Sequence, residues 1–196
     1  SREGDTVKLV SLIDEAIERA AAAVAEKNPD LSTSERDAVA RMIGIGAIKY
    51  ADLSTDRIKD YVFDWDRMLA FEGNTAPYLQ YAHARICSIF RRAGVERAAI
   101  RAGAISIDHA AERALAIRIL QFDSVVRETL ERFAPHRLCT YIYDLATDFT
   151  AFYENCPVLK AESETLRDSR LRLADATARV IECGLGLLGI EAPEAM

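Results

Sequence analysis

An all-α fold, an antiparallel bundle of helices, is what this sequence predicts, and three observations predict it. Half of its 196 residues are hydrophobic, enough to bury a core as one domain, or one domain plus a remnant. Nine glycines and five prolines leave long stretches without a breaker. Within those stretches apolar residues recur three and four apart, the period of a helix with one buried face. Short connections then fold such helices back as antiparallel neighbours.

The chain opens Ser1-Arg2-Glu3-Gly4 without an initiator methionine and reads as a piece of something longer. Thr6 or Asp5 caps a first helix, in which Leu9, Leu12, Ile13, Ala16, Ile17 and Ala20 keep helical spacing until about Lys27. Asn28-Pro29-Asp30 stops it. Ser32 or Ser34 caps the second helix, whose inner face is marked by Ala38, Met42, Ile45 and Ile48. Gly44 and Gly46 are costly inside a helix and imply close packing against a neighbour. Residues 58–63, short and rich in β-branched and aromatic side chains, read as extended. Trp65 to Phe71 reads as one or two helical turns, and Glu72 to Ala76 as a loop. Four long helices follow. The first runs from Pro77 to Arg92 and ends before Gly94. The second runs from about Asp108 to Phe133, with Ala111, Leu115, Ile119, Phe122 and Val126 on one face. The third runs from Pro135 to about Asn155, stopped by Pro157, and the fourth from about Glu162 to Leu188, ending near Gly189. Lys160 to Glu164 is an acidic, solvated link.

The net charge of −6 argues against a general nucleic-acid binder, which is usually basic, while leaving room for a local basic stripe. Twenty of the 25 basic residues are arginine, the side chain that stacks on bases and forks onto phosphates. The four cysteines (Cys87, Cys139, Cys156, Cys183) are scattered without a Cys-x-x-Cys pair. They lack zinc-ligand spacing and read as buried free thiols of a reducing cytoplasm. No metal site is expected. No signal peptide opens the chain, and no apolar run reaches the roughly 18 residues of a membrane span. Asp64, Asp66 and Glu72 flank Trp65, yet no nucleophile, metal set or phosphate-binding glycine loop accompanies them, so no catalytic residue is assigned.

The stretch Phe71-Glu-Gly-Asn-Thr-Ala-Pro-Tyr-Leu-Gln-Tyr-Ala-His-Ala-Arg85 carries the most information. Tyr78 and Tyr81 stand three apart on a Pro-started helix, with Arg85 one turn on, and all three fit one helix face. Two aromatics and an arginine beside a loop make a platform for unstacked bases. The competing reading of each tyrosine is a core position with its hydroxyl satisfied. Asn74 and Gln80 are candidates to read base edges, and Gln80 equally to brace the loop. Arg91, Arg92, Arg167 and Arg170 are candidate phosphate contacts; the alternative is a solvated helix surface with acidic partners. His83 reads as a core histidine.

These pieces resemble, in order, the arginyl-tRNA synthetases of bacteria. The resemblance rests on Thr6-Val-Lys-Leu9, on Gly44-Ile-Gly-Ala-Ile-Lys-Tyr-Ala-Asp-Leu-Ser54, and on the Phe63 to Arg85 block. It continues in Tyr141-Ile-Tyr-Asp-Leu-Ala146, Phe152-Tyr-Glu-Asn-Cys-Pro157, Ser169-Arg-Leu171 and Gly184-Leu-Gly-Leu-Leu-Gly-Ile190, and ends in Pro193-Glu-Ala-Met196. It implies an anticodon-binding helical domain of the class I type over residues 21–196, preceded over residues 1–20 by the tail of a catalytic domain. It implies a parent enzyme that joins arginine to tRNA(Arg) with ATP and Mg2+ in the cytoplasm. The fragment itself would lack the active site and hold no cofactor. Arg2 would be a remnant of the ATP loop, or a frayed terminal residue. The resemblance adds Tyr153 and Met196 to Tyr78 and Tyr81 as anticodon contacts. The partners implied are tRNA(Arg) and the enzyme's own catalytic domain, with a monomer and no membrane. The rival is a helical protein-interaction module without an RNA role.

Overall fold

The computed structural model describes residues 8–60 and 62–196. Among them the chain is helical without a strand: α1 (Leu9–Lys27), α2 (Thr33–Leu53), α3 (Trp65–Met68), α4 (Ala76–Ala93), α5 (Arg97–Ile100), α6 (Ala110–Leu120), α7 (Phe122–Arg132), α8 (Pro135–Asn155) and α9 (Glu164–Leu187). α1 and α2 form a hairpin; α4 packs between α2 and α9; α8 packs on α9 and carries α6 and α7.

Local chemistry starts α2, α4 and α9, whereas α1 begins after Lys8 without a side-chain cap and its expected caps, Thr6 and Asp5, lie outside the described residues. Ser32 and Glu35 form a capping box at α2: the Ser32 hydroxyl accepts from the Glu35 amide, and the Glu35 carboxylate accepts from the Ser32 amide. The Thr75 hydroxyl accepts from the Tyr78 amide at 3.2 Å and donates to the Ala70 carbonyl at 2.6 Å. It thereby starts α4 and pins the preceding loop, with Pro77 in the first turn. Ser163 caps α9, so residues 160–163 are the link and the helix begins two residues later than its expected start.

Four expectations are corrected. The helix expected from Asp108 to Phe133 is two helices. At Gln121 the amide turns to the Arg118 carbonyl, three residues back, at 3.1 Å, and α7 starts at Phe122. The break lets Phe122 stack on Tyr141, with centroids 5.9 Å apart, while Val125 and Val126 reach the core. The inner face of α2 is Val39, Ala40, Ile43, Ala47 and Tyr50, one position round from the expected stripe, because α1 meets this helix at Gly44. There an added Cβ would lie 2.7 Å from the Ile17 backbone nitrogen. Residues 58–63 form no strand among the described residues: Asp56 and Lys59 close a turn, and Ile58 and Val62 are exposed. Three cysteines are buried as expected, but Cys183 is exposed.

The buried apolar residues form two clusters. The larger joins α4, α6, α8 and α9 around Leu79, Ile86, Leu115, Ile142, Leu145, Phe152, Leu171 and Ile181. The smaller joins α1 and α2 through Ala20, Val24, Val39, Ala40 and Ile43, with Leu31, Leu69, Phe71 and Met196 packed on it. After α9 the chain turns at Gly189 (φ +70°) and runs back as a tail over α2 and α4 to the end of α1.

Candidate nucleic-acid interface

Tyr81 and Met196, 115 positions apart in sequence, stand on one open cleft of about 350 Å³, lined also by Val24, Lys27 and Phe71. Tyr81 leaves α4 45% exposed, and Met196 arrives on the tail. The Lys27 ammonium lies 4.9 Å from the Phe71 ring centroid, a cation–π contact that holds a positive charge at the cleft. An exposed phenol, a polarisable thioether and an aromatic wall beside one cation suit a flat, polar-edged ring next to an anionic backbone.

A second cluster lies along α4 and α8. The Arg85 guanidinium sits 5.0 Å from the Tyr153 centroid, and Tyr153 stacks on Phe149 at 6.1 Å with 24° between planes. Tyr78 is half-buried against Tyr143, with centroids 5.6 Å apart. So Tyr78, Arg85 and Tyr153 belong to one aromatic and cationic ridge, while Tyr81 faces the cleft.

Asn74 is exposed in the loop before α4, and its Oδ1 accepts from the Tyr50 hydroxyl at 2.6 Å. That hydroxyl also reaches the Cys139 carbonyl at 3.0 Å. Burial pushes the Tyr50 phenol far above its ordinary range, helped by Cys139, so it stays a neutral donor. With its oxygen occupied, Asn74 keeps its amide hydrogens for an outside acceptor.

Of the remaining candidates, Gln80, Arg170, Arg167 and Arg91 have other partners. Gln80 is fully buried, and its Nε2 donates to the Met42 carbonyl at 3.1 Å and the Glu191 carbonyl at 2.8 Å; it braces the tail instead of facing a base. Arg170 is 11% exposed and binds Glu112 at 2.7 Å and the Pro157 carbonyl at 2.9 Å, so it is a structural ion pair. Burial raises the Glu112 carboxyl, but the Arg170 guanidinium and the amides of Asp108 and His109 outweigh it and hold it below the usual carboxylate range. Arg167 is paired with Glu164 and Asp168. Arg91 is exposed and donates to the Glu194 carbonyl at 2.9 Å. Arg92 is exposed and, among the described residues, in no ion pair. Arg2 lies outside the described residues.

Lys27, Phe71 and Val24 were not singled out in the sequence. Phe71 closes the aromatic-rich run from Phe63, which was a usable signal; Val24 and Lys27 gave none, because only the α1–α2 hairpin brings them to Tyr81. Among the described residues no group of three His, Cys, Asp or Glu side chains is placed to hold a metal, and no helix is long and apolar enough to cross a membrane.

Comparison with known proteins gives the family. The family described as DALR anticodon binding domain matches residues 79–196. The family described as tRNA synthetases class I (R), catalytic domain, matches residues 1–65. The arginine–tRNA ligase of Klebsiella pneumoniae (strain 342) is 54% identical over all 196 residues, which span 34% of its length; that of Edwardsiella ictaluri is 52% identical over the same span. Among solved structures, the arginyl-tRNA synthetase of Thermus thermophilus superposes with a TM-score of 0.89 at 41% identity, over 97% of this chain and 32% of that one. The Plasmodium falciparum enzyme gives 0.88 at 36%, over 97% and 34%. The chain therefore spans about a third of the relatives it matches, and it belongs to the DALR anticodon-binding domain family.

Proposed function

We propose that this chain is the tRNA-reading part of an arginine–tRNA ligase. The observation that carries the reading is the cleft between Tyr81 and Met196: two residues from distant parts of the chain, each expected to contact an anticodon, face the same open space beside Lys27. Tyr81 offers a stacking face, and Met196 packs on the same base or closes the cleft behind it. Arg85, held over Tyr153, receives a second base or a phosphate, with Tyr78 as the floor of that ridge. Asn74 donates to a base-edge acceptor. Arg91, Arg92 and Arg167 meet phosphates, which orient the stem without reading sequence.

The full-length parent would attach arginine to tRNA(Arg) with ATP and Mg2+, in the cytoplasm and as a monomer, its catalytic domain working outside the part described. Residues 1–20 would be the end of that domain: Leu9 and Val10 are 63% and 67% exposed, apolar surface that a further domain would cover, although α1 runs through residue 20 without a break. Chemistry on ATP would belong to that catalytic domain, and no described residue is given a part in it.

The test is binding of the chain to an arginine-tRNA anticodon stem-loop and to a copy with the middle anticodon base changed, at two salt concentrations. The proposal expects affinity that falls with log salt and drops on the base change. Equal affinity for both RNAs would leave only a general RNA grip, and salt-insensitive binding to a protein would favour an interaction module.

A further inference from the structure

The tail from Gly189 is irregular backbone, whose carbonyls lack helical partners. Five of them are met by side chains from elsewhere in the chain: Gly189 by Lys49 of α2, Glu191 by Gln80 of α4 at 2.8 Å, Pro193 by His83 Nδ1 of α4 at 2.9 Å, Glu194 by Arg91 of α4 at 2.9 Å, and Met196 by Asn28 after α1 at 3.0 Å. The Pro193 contact is buried and the others are partly or fully exposed. A carbonyl only accepts, so His83 carries its proton on Nδ1 in this contact. Gln80 and His83 are completely buried, where a polar side chain is costly unless its hydrogen bonds are made; Gln80 Nε2 makes two, while its Oε1 has no partner among the described residues. Gly46 keeps the space beneath Gln80 and the tail: an added Cβ would lie 3.0 Å from Gln80 Nε2 and 3.1 Å from Ile190 Cγ2. Gln80 precedes Tyr81 on α4, and the roughly 100° step between helical neighbours leaves the first buried and the second 45% exposed. One grips the tail inside, and the other faces the cleft in which the tail ends.

We propose that Gln80 and His83 are positioning residues for base reading. By fixing the tail they set where the Met196 side chain stands relative to Tyr81, and with it the ratio of affinities for the right and wrong base, without touching RNA themselves. The inference rests on the reading of the cleft as a base site. A small misplacement of a recognition group costs up to about a hundredfold, so the expected loss in that ratio is about tenfold.

The test uses chain labelled with 13C at its three methionine methyls, with His83→Leu, His83→Asn, Gln80→Leu and Asn28→Ala. His83→Asn keeps a donor near the Nδ1 position and is expected to retain both the wild-type Met196 methyl resonance and the affinity ratio. His83→Leu and Gln80→Leu are expected to move that resonance to the position of a solvated methionine and to lower the ratio about tenfold, while binding to the changed stem-loop persists. Asn28→Ala, outside the core, is expected to do the same in part, which keeps the test decisive if a core variant fails to fold. A Met196 resonance unmoved in every variant, or one moved with the ratio unchanged, overturns the inference. A wild-type chain that fails to discriminate overturns the base-site reading itself, and the methyl positions still report whether these side chains hold the tail.

Discussion

Tyr81 and Gln80 show how one step along a helix separates two kinds of work. Tyr81 is 45% exposed and Gln80 fully buried, so replacing them should fail differently. Tyr81→Ala should cost about 1–3 kcal/mol of binding to the matched stem-loop, the range of one base–aromatic stack, and leave the melting temperature of the chain unchanged; calorimetric titration and a thermal melt check both halves. The Glu112–Arg170 pair predicts a pH dependence. The folded Glu112 carboxyl is held below its ordinary range. Its stabilisation is therefore complete above the unfolded carboxylate value and is lost as pH falls through the depressed folded value. Glu112→Gln should flatten the fall in urea midpoint on the acid side of the ordinary carboxylate range, whereas Arg170→Ala, which leaves a buried charge unpaired, should cost about 3–5 kcal/mol at neutral pH. An unchanged acid limb in Glu112→Gln would contradict the assignment.

Among the elements, the α1–α2 hairpin is decided by a glycine. At Gly44 an added Cβ meets backbone atoms of Ile17 and Ala16 at 2.7 and 2.8 Å, and backbone cannot swing aside as a side chain does. Gly44→Ala should push the helices apart and destabilise the chain by about 1–3 kcal/mol, against the gain a helical alanine normally brings; a rise in the urea midpoint would refute it. Since Val24 and Lys27 reach the cleft only through this hairpin, the same variant should weaken RNA binding. The glycine pair was legible in the sequence, as were the starts of α2, α4 and α8, because each depends on residues a few positions apart. The break at Gln121 was not legible. No glycine or proline marks it, and its cause is the fit of Phe122 on Tyr141, nearly twenty positions away in sequence. The face of α2 was misjudged for a related reason: a helix covered by α1 on one flank and by α4 and the tail on another carries no single apolar stripe.

For the whole molecule, a net charge of −6 means that RNA affinity has to come from a local set of cations. Arg92→Ala should weaken binding to matched and changed stem-loops equally and reduce the slope of log affinity against log salt by about one. The site was legible in part. Tyr78 and Arg85 were candidates from helix spacing and Tyr153 from family likeness, and the structure brings Arg85 onto Tyr153; Tyr81, expected on the same face as Tyr78 and Arg85, turns instead to the cleft. The division of labour between cleft and ridge, and the tail's dependence on Gln80 and His83, join residues over a hundred positions apart, which no local pattern encodes. The central claim is that an anticodon base enters the cleft between Tyr81 and Met196. The most direct test is the Met196 methyl resonance of 13C-methionine-labelled chain, titrated with the matched stem-loop, with buried Met68 as internal control. The account predicts that Met196 shifts in proportion to binding while Met68 stays in place; saturable binding with Met196 unmoved would contradict it.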